Sequence, residues 1–108
     1  MEKLRNYVNG EYIDSTSNEY IDNYEPATGQ VYSLIPNSNA EDVNKAVEAA
    51  EKAFPIWSGM SVEERSAILV KVSEGIERRM DEFVAAESKD NGKPISLART
   101  VDIRREWE

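Results

Sequence analysis

The hydrophobic period of the chain changes at Ser38, and that change sorts its 108 residues into a strand-forming part and a helix-forming part. Before Ser38 the apolar residues alternate. In "NYVNGEYIDS", Asn9-Gly10 separates Tyr7-Val8 from Glu11-Tyr12-Ile13. Asn-Gly tolerates the positive φ angles of a two-residue type I′ turn, so a β-hairpin is predicted there. "EYIDNYEPATGQVYSLIP" repeats the pattern with longer runs around Pro26-Ala27-Thr28-Gly29. Pro26 presets φ for a turn and Gly29 can take a left-handed conformation, which predicts a second extended pair. Strands are therefore expected over about 6–36.

After Ser38 the period is that of a helix. "SNAE" offers Ser38 as N-cap with Glu41 in the reciprocal position, and Val43, Ala46, Val47, Ala50, Ala53 and Phe54 share one face. Pro55 predicts an end near Phe54, giving a helix over about 39–54. "SVEE" is a second start, with Ser61 and Glu64 as the capping pair. From there Ile68, Leu69, Val72, Ile76, Met80, Phe83 and Val84 form a stripe that predicts one helix over about 62–91. Gly75 lies inside it and suggests a close packing contact. Gly92 suits the left-handed position that ends a helix, and Pro94 suits the first position of the next, over about 94–106. The fold class read from this order is α+β, strands first and three helices after.

Length sets a tension. The chain suits one domain rather than two cores. A helix from Val62 to Asn91 is about 45 Å long at ~1.5 Å per residue, whereas a compact domain of this size is only about 34 Å across. Its apolar stripe needs a surface that two strand pairs and one shorter helix do not supply.

Charge and composition exclude several functions. Asp and Glu number 21 against 13 Lys and Arg, a formal net charge of -8, and the basic residues are interleaved with acidic ones. Such a chain repels a phosphate backbone, so no nucleic-acid partner is expected. No apolar run approaches the roughly 20 residues of a membrane-spanning helix, and no signal-peptide core is visible, so a cytoplasmic protein without a membrane partner is expected. Cysteine and histidine are both absent. The chain thus carries no thiol nucleophile, no thiolate metal site and no imidazole base.

The remaining candidate residues have plain structural readings. Glu41-Asp42 and Glu63-Glu64 resemble acid–base pairs, but each falls in the first turn of a helix, where negative charge complements the macrodipole. Phe54 and Trp57 are expected in the core. Lys93 in "DNGKP" has no neighbours in sequence that would desolvate it, so it reads as a solvated turn lysine. That stretch is not a phosphate loop, since Glu87 and Pro94 stand where glycine and Ser or Thr are needed. The glycines at 10, 29, 59, 75 and 92 are too scattered for a dinucleotide fingerprint.

Four motifs nevertheless occur in a recognisable order: "EPATG", then "AEKAFPIW", then "SVEERSAIL", then "ESKDNGKP". Together they resemble the N-terminal segment of the NAD(P)-dependent aldehyde dehydrogenase superfamily, over about Asn6 to Ile103, and look most like the dehydrogenases of hydroxymuconic and aminomuconic semialdehydes. The resemblance implies a fragment of the α/β cofactor domain of that family, spanning residues 1–108 as a partial N-terminal region. Members are several times longer, and their nucleotide motifs, catalytic cysteine, glutamate and oxyanion asparagine lie beyond the matched part. No catalytic or cofactor-binding residue carries over to this chain, which alone is expected to be inactive and to bind neither NAD nor NADP.

One minor site does carry over from the resemblance. Some members hold a monovalent cation on backbone carbonyls before the "EPATG"-like turn and on an aspartate after "GKP"; the matching positions are Asn23, Tyr24 and Asp102. The ending "RREWE", with four charges in five residues, is costly to bury. It departs from what the resemblance implies and suggests truncation or a frame change near Ile103. The expected partners are the missing remainder of the enzyme or a second copy of the chain, the latter making it a non-catalytic interaction or oligomerisation module.

Overall fold

In the computed structural model, residues 1–103 are described, Asp102 by its backbone alone; the ending at 104–108, with the close of the helix expected to 106, lies outside the described residues. The described residues form five strands and four helices, an α+β arrangement with strands first, as the change of period predicts. They fall into two compact units. One comprises Met1–Tyr24 and Val31–Met60, the other Glu25–Gln30 and Ser61 onward.

In the first unit, β2 (Asn6–Val8) and β3 (Glu11–Ile13) form the expected hairpin, with Tyr7 opposite Tyr12. Asn9 and Gly10 both have positive φ, 53° and 80°, as a type I′ turn requires. The Tyr7 and Tyr12 rings pack with centroids 5.0 Å apart, a cross-strand aromatic pair. β4 (Tyr20–Glu25) and β5 (Gln30–Pro36) are neighbours in a three-stranded sheet. Its third member is β1 (Glu2–Lys3), which pairs in parallel with β5 through Glu2–Ser33 and Lys3–Leu34. Two residues of strand carry too short a pattern to be read from sequence.

α1 (Ala40–Gly59) departs from expectation at both ends. Its N-cap is Asn39 with Asp42, not Ser38 with Glu41. Ser38 instead accepts a hydrogen bond from the Asn6 side chain, 2.9 Å. The helix also continues through Pro55. Proline deletes one N–H bond but its φ is helical, and the freed carbonyl belongs to exposed Glu51, where water replaces the lost donor.

In the second unit, the helix expected over 62–91 is two: α2 (Val62–Arg78) and α3 (Met80–Asn91). Arg79 sits between them at φ -114°, ψ 26°, and its N–H reaches back to carbonyls of the preceding turn. At ~1.5 Å per residue the pieces are about 26 and 18 Å long, which removes the 45 Å helix and the size conflict built on it. Pro94, with ψ 144°, precedes α4 (Ile95–Leu97) rather than occupying its first turn, and Ala98–Asp102 follow as a π-helical turn. The buried apolar core is small: Val84, Ala98 and Ile103, with Ile76 and Met80 packed against it. Gly75 makes no close contact, since a Cβ there would meet only the Arg78 guanidinium at 3.6 Å.

Much of the apolar stripe stays in water. Phe54 and Trp57, expected in the core, are 66% and 38% exposed, and Leu69 is 60% exposed.

Candidate functional site

The most heavily hydrogen-bonded side chain of the first unit is Asp42. At the third position of α1 its amide donates to Asn39 Oδ1, while its own carboxylate accepts from the Asn39 amide, both at 3.0 Å. The loop after β3 supplies the rest: Ser15 Oγ donates to Oδ2 at 2.6 Å, and the Thr16 amide and hydroxyl donate to Oδ1 at 3.0 and 3.2 Å. Asp42 and Ser15 are both buried. The Ser15 hydroxyl, with the backbone donors of Thr16 and Asn39, lowers the Asp42 pKa to about 2. A carboxylate held this way is an acceptor and not a proton donor at neutral pH. Asp42 is therefore a staple between loop and helix, in keeping with the capping reading of Glu41-Asp42. Beside it, Tyr7, Val8, Asp42, Val43 and Ala46 line an open groove between β2 and α1.

Glu64 plays the expected reciprocal role with Ser61, at 3.1 and 3.3 Å, on the exposed start of α2. Glu41 is exposed and pairs with Lys45 at 3.8 Å.

In the second unit two of the sequence motifs meet. The "EPATG" turn is closed by the Gly29 amide donating to the Glu25 carbonyl, 2.8 Å, with Gly29 at φ 71°. The "DNGKP" turn ends α3 with Gly92 at φ 80°, its amide donating to Ser88 O at 2.9 Å. A Cβ on Gly92 would lie 3.0 Å from Pro26 Cβ, so glycine is needed both for φ and for this contact. Around it Ser88 Oγ donates to Lys93 O, 2.6 Å, the Lys93 amide to Asn91 Oδ1, 2.9 Å, and Asn91 Nδ2 to Glu87 Oε1, 2.6 Å. The sequence marked both turns but carried no signal that they pack together.

The described residues offer no dinucleotide cradle. The positive-φ glycines 10, 29 and 92 serve three separate turns, none at a helix N-terminus. Among the described residues no group of three His, Cys, Asp or Glu is placed to hold a metal ion, and no helix is long and apolar enough to cross a membrane. Of the candidate cation ligands, Asn23 lies in β4 and donates its side-chain amide to buried Ser33 Oγ, 3.1 Å; Tyr24 beside it is exposed. Both belong to the first unit. Asp102 belongs to the second unit, and its side chain lies outside the described residues.

Comparison with known proteins gives one consistent picture. The Aldehyde dehydrogenase family is matched over residues 12–108. That span includes the charged ending, so a departure from the family at Ile103 finds no support. The 2-aminomuconic semialdehyde dehydrogenase of Danio rerio is 50% identical over 102 residues, covering 94% of this chain and 20% of the relative. The crystal structure of PnpE from Pseudomonas sp. WBC-3 superposes with a TM-score of 0.91 at 34% identity, covering 97% of this chain and 21% of PnpE. An NAD-dependent aldehyde dehydrogenase from Sinorhizobium meliloti superposes at 0.85 with 39% identity, over 92% of this chain and 20% of that protein. The chain thus spans about a fifth of the length of the relatives it matches.

Proposed function

The chain belongs to the aldehyde dehydrogenase family, and from that premise we propose that its 108 residues act as the N-terminal part of an NAD(P)-dependent semialdehyde dehydrogenase, oxidising its substrate to the acid only together with the remaining four-fifths of the fold. The observation that carries this reading is the 50% identity to a 2-aminomuconic semialdehyde dehydrogenase across nearly the whole chain. The residues themselves agree with it. No cysteine is present to form a thioester with the substrate, and the positive-φ glycines 10, 29 and 92 each serve a separate turn, which fits a reading in which the nucleophile and the nucleotide cradle belong to other residues.

The test is to join the chain to the complementary four-fifths of a 2-aminomuconic semialdehyde dehydrogenase and follow NADH formation with an unsaturated semialdehyde. The joined protein is expected to turn over and the 108-residue chain alone to form no NADH. Turnover by the chain alone, or a soluble joined protein without activity, overturns the reading.

The exposure of Phe54 and Ile56, 66% and 75%, favours a second reading in which the chain pairs with copies of itself through α1. Light scattering separates the two, since a discrete symmetric oligomer of the 108-residue chain supports the interaction module and a polydisperse species does not. The proposed setting for either is the cytoplasm, to be checked by imaging a tagged protein.

A further inference from the structure

The sequence contains two Asn-Gly pairs, and the structure gives them opposite chemical fates. We propose that Asn9 is a site of spontaneous deamidation and isoaspartate formation, whereas Asn91 is protected. In this reaction the Gly amide nitrogen attacks the Asn side-chain carbonyl, a C–N bond forms, ammonia leaves, and a cyclic succinimide results. Water then opens the ring at either carbonyl, giving aspartate or isoaspartate. Nothing but water is consumed. The requirements are a neighbour without a side chain, an amide nitrogen free to attack, and an Asn side chain free to turn toward it.

Asn9-Gly10 meets them. Both residues are exposed at the tip of a ribbon with three residues in each strand, and among the described residues no side-chain hydrogen bond restrains Asn9. Ring closure requires ψ of Asn9 to leave the turn conformation, but a tip of this kind opens locally at low cost. Asn91-Gly92 has the glycine neighbour but fails the other two requirements. The Gly92 amide is engaged by Ser88 O, Asn91 Oδ1 accepts from the Lys93 amide, and Asn91 Nδ2 donates to Glu87. Gly92 is also pressed against Pro26, so the turn cannot reshape without losing that contact.

The consequence falls on the hairpin. Isoaspartate adds a methylene to the main chain inside a two-residue turn, which no longer fits the type I′ geometry that sets Tyr7 opposite Tyr12.

The experiment is to age the 108-residue chain at mildly alkaline pH and quantify isoaspartate at each site by peptide mass spectrometry, with a parallel sample in denaturant. The native-to-denatured rate ratio cancels the difference in local sequence. That ratio is expected to be about ten-fold or more lower at Asn91 than at Asn9, the factor that one or two net hydrogen bonds supply. Equal ratios at the two sites, or a lower ratio at Asn9, overturn the proposal. As a second reading, Asn91→Asp should leave the modification rate at position 9 unchanged, whereas coupling between the sites would contradict local control.

Discussion

The two capped helices begin with the same motif and use it differently. At α2, Ser61 and Glu64 satisfy each other at the surface, and among the described residues the box reaches no further partner. At α1, Asn39 and Asp42 make the same reciprocal pair, and Asp42 then accepts three further hydrogen bonds from Ser15 and Thr16. One box is local helix chemistry, whereas the other fixes a loop more than twenty residues away in sequence. The difference shows where the chain is self-sufficient. Among the described residues no buried side-chain polar atom lacks a partner, yet Phe54, Val62 and Leu69 each leave more than half of their surface in water. Polar demands are met within these residues, and apolar ones are not.

Substitutions can break this contrast in a definite order. Asp42→Asn should be the most damaging, with a fall in melting temperature several times that of Glu64→Gln. The amide group would turn a donor toward other donors, the Ser15 hydroxyl and Asn39 amide or those of Thr16, whereas Gln at position 64 faces water. Equal losses would remove the distinction between the boxes. Gly92→Ala should cost about 2 kcal/mol in denaturant unfolding, from a left-handed φ of 80° and the 3.0 Å approach to Pro26. Ser61→Ala should cost about 1 kcal/mol, the value of an isolated cap. Gly75→Ala should stabilise by up to about 1 kcal/mol, since the helix interior there has room for a methyl group.

Acid sharpens the same comparison. The Asp42 pKa is lowered from 3.8 to about 2 on folding, so its contribution to stability is fully present above pH 4 and is lost as pH falls toward 2. In that window the unfolded carboxylate takes up a proton that the folded one resists. A carboxyl-carbon NMR titration should place the Asp42 midpoint near 2, and Ser15→Ala should raise it.

Local chemistry was readable from sequence where one residue type answers one backbone need. Asn9-Gly10, the Ser61–Glu64 box and Gly92 as a left-handed helix end are of this kind. The α1 cap slipped by one residue because "SNAED" holds two overlapping boxes, and the choice between them rests on Ser15 and Thr16. The break at Arg79 has no glycine or proline to announce it. Phe54 and Trp57 looked like core because an apolar stripe states that a surface is to be covered, not which residues cover it. The Asp42 staple was invisible for the same reason, since its partners are brought to it by the fold. The family, by contrast, was legible from four motifs in order, because their spacing survives where the contacts between them do not show.

The most direct test of this division between satisfied polar and open apolar contacts is residue-resolved amide hydrogen exchange along α1. In the 108-residue chain, the first turn around Asp42 should be protected and the stretch from Val47 to Trp57 should exchange readily. When the chain is joined to the remaining four-fifths of a family member, that stretch should gain protection while the first turn changes little. Uniform protection of α1 in the 108-residue chain, unchanged on joining, would contradict it.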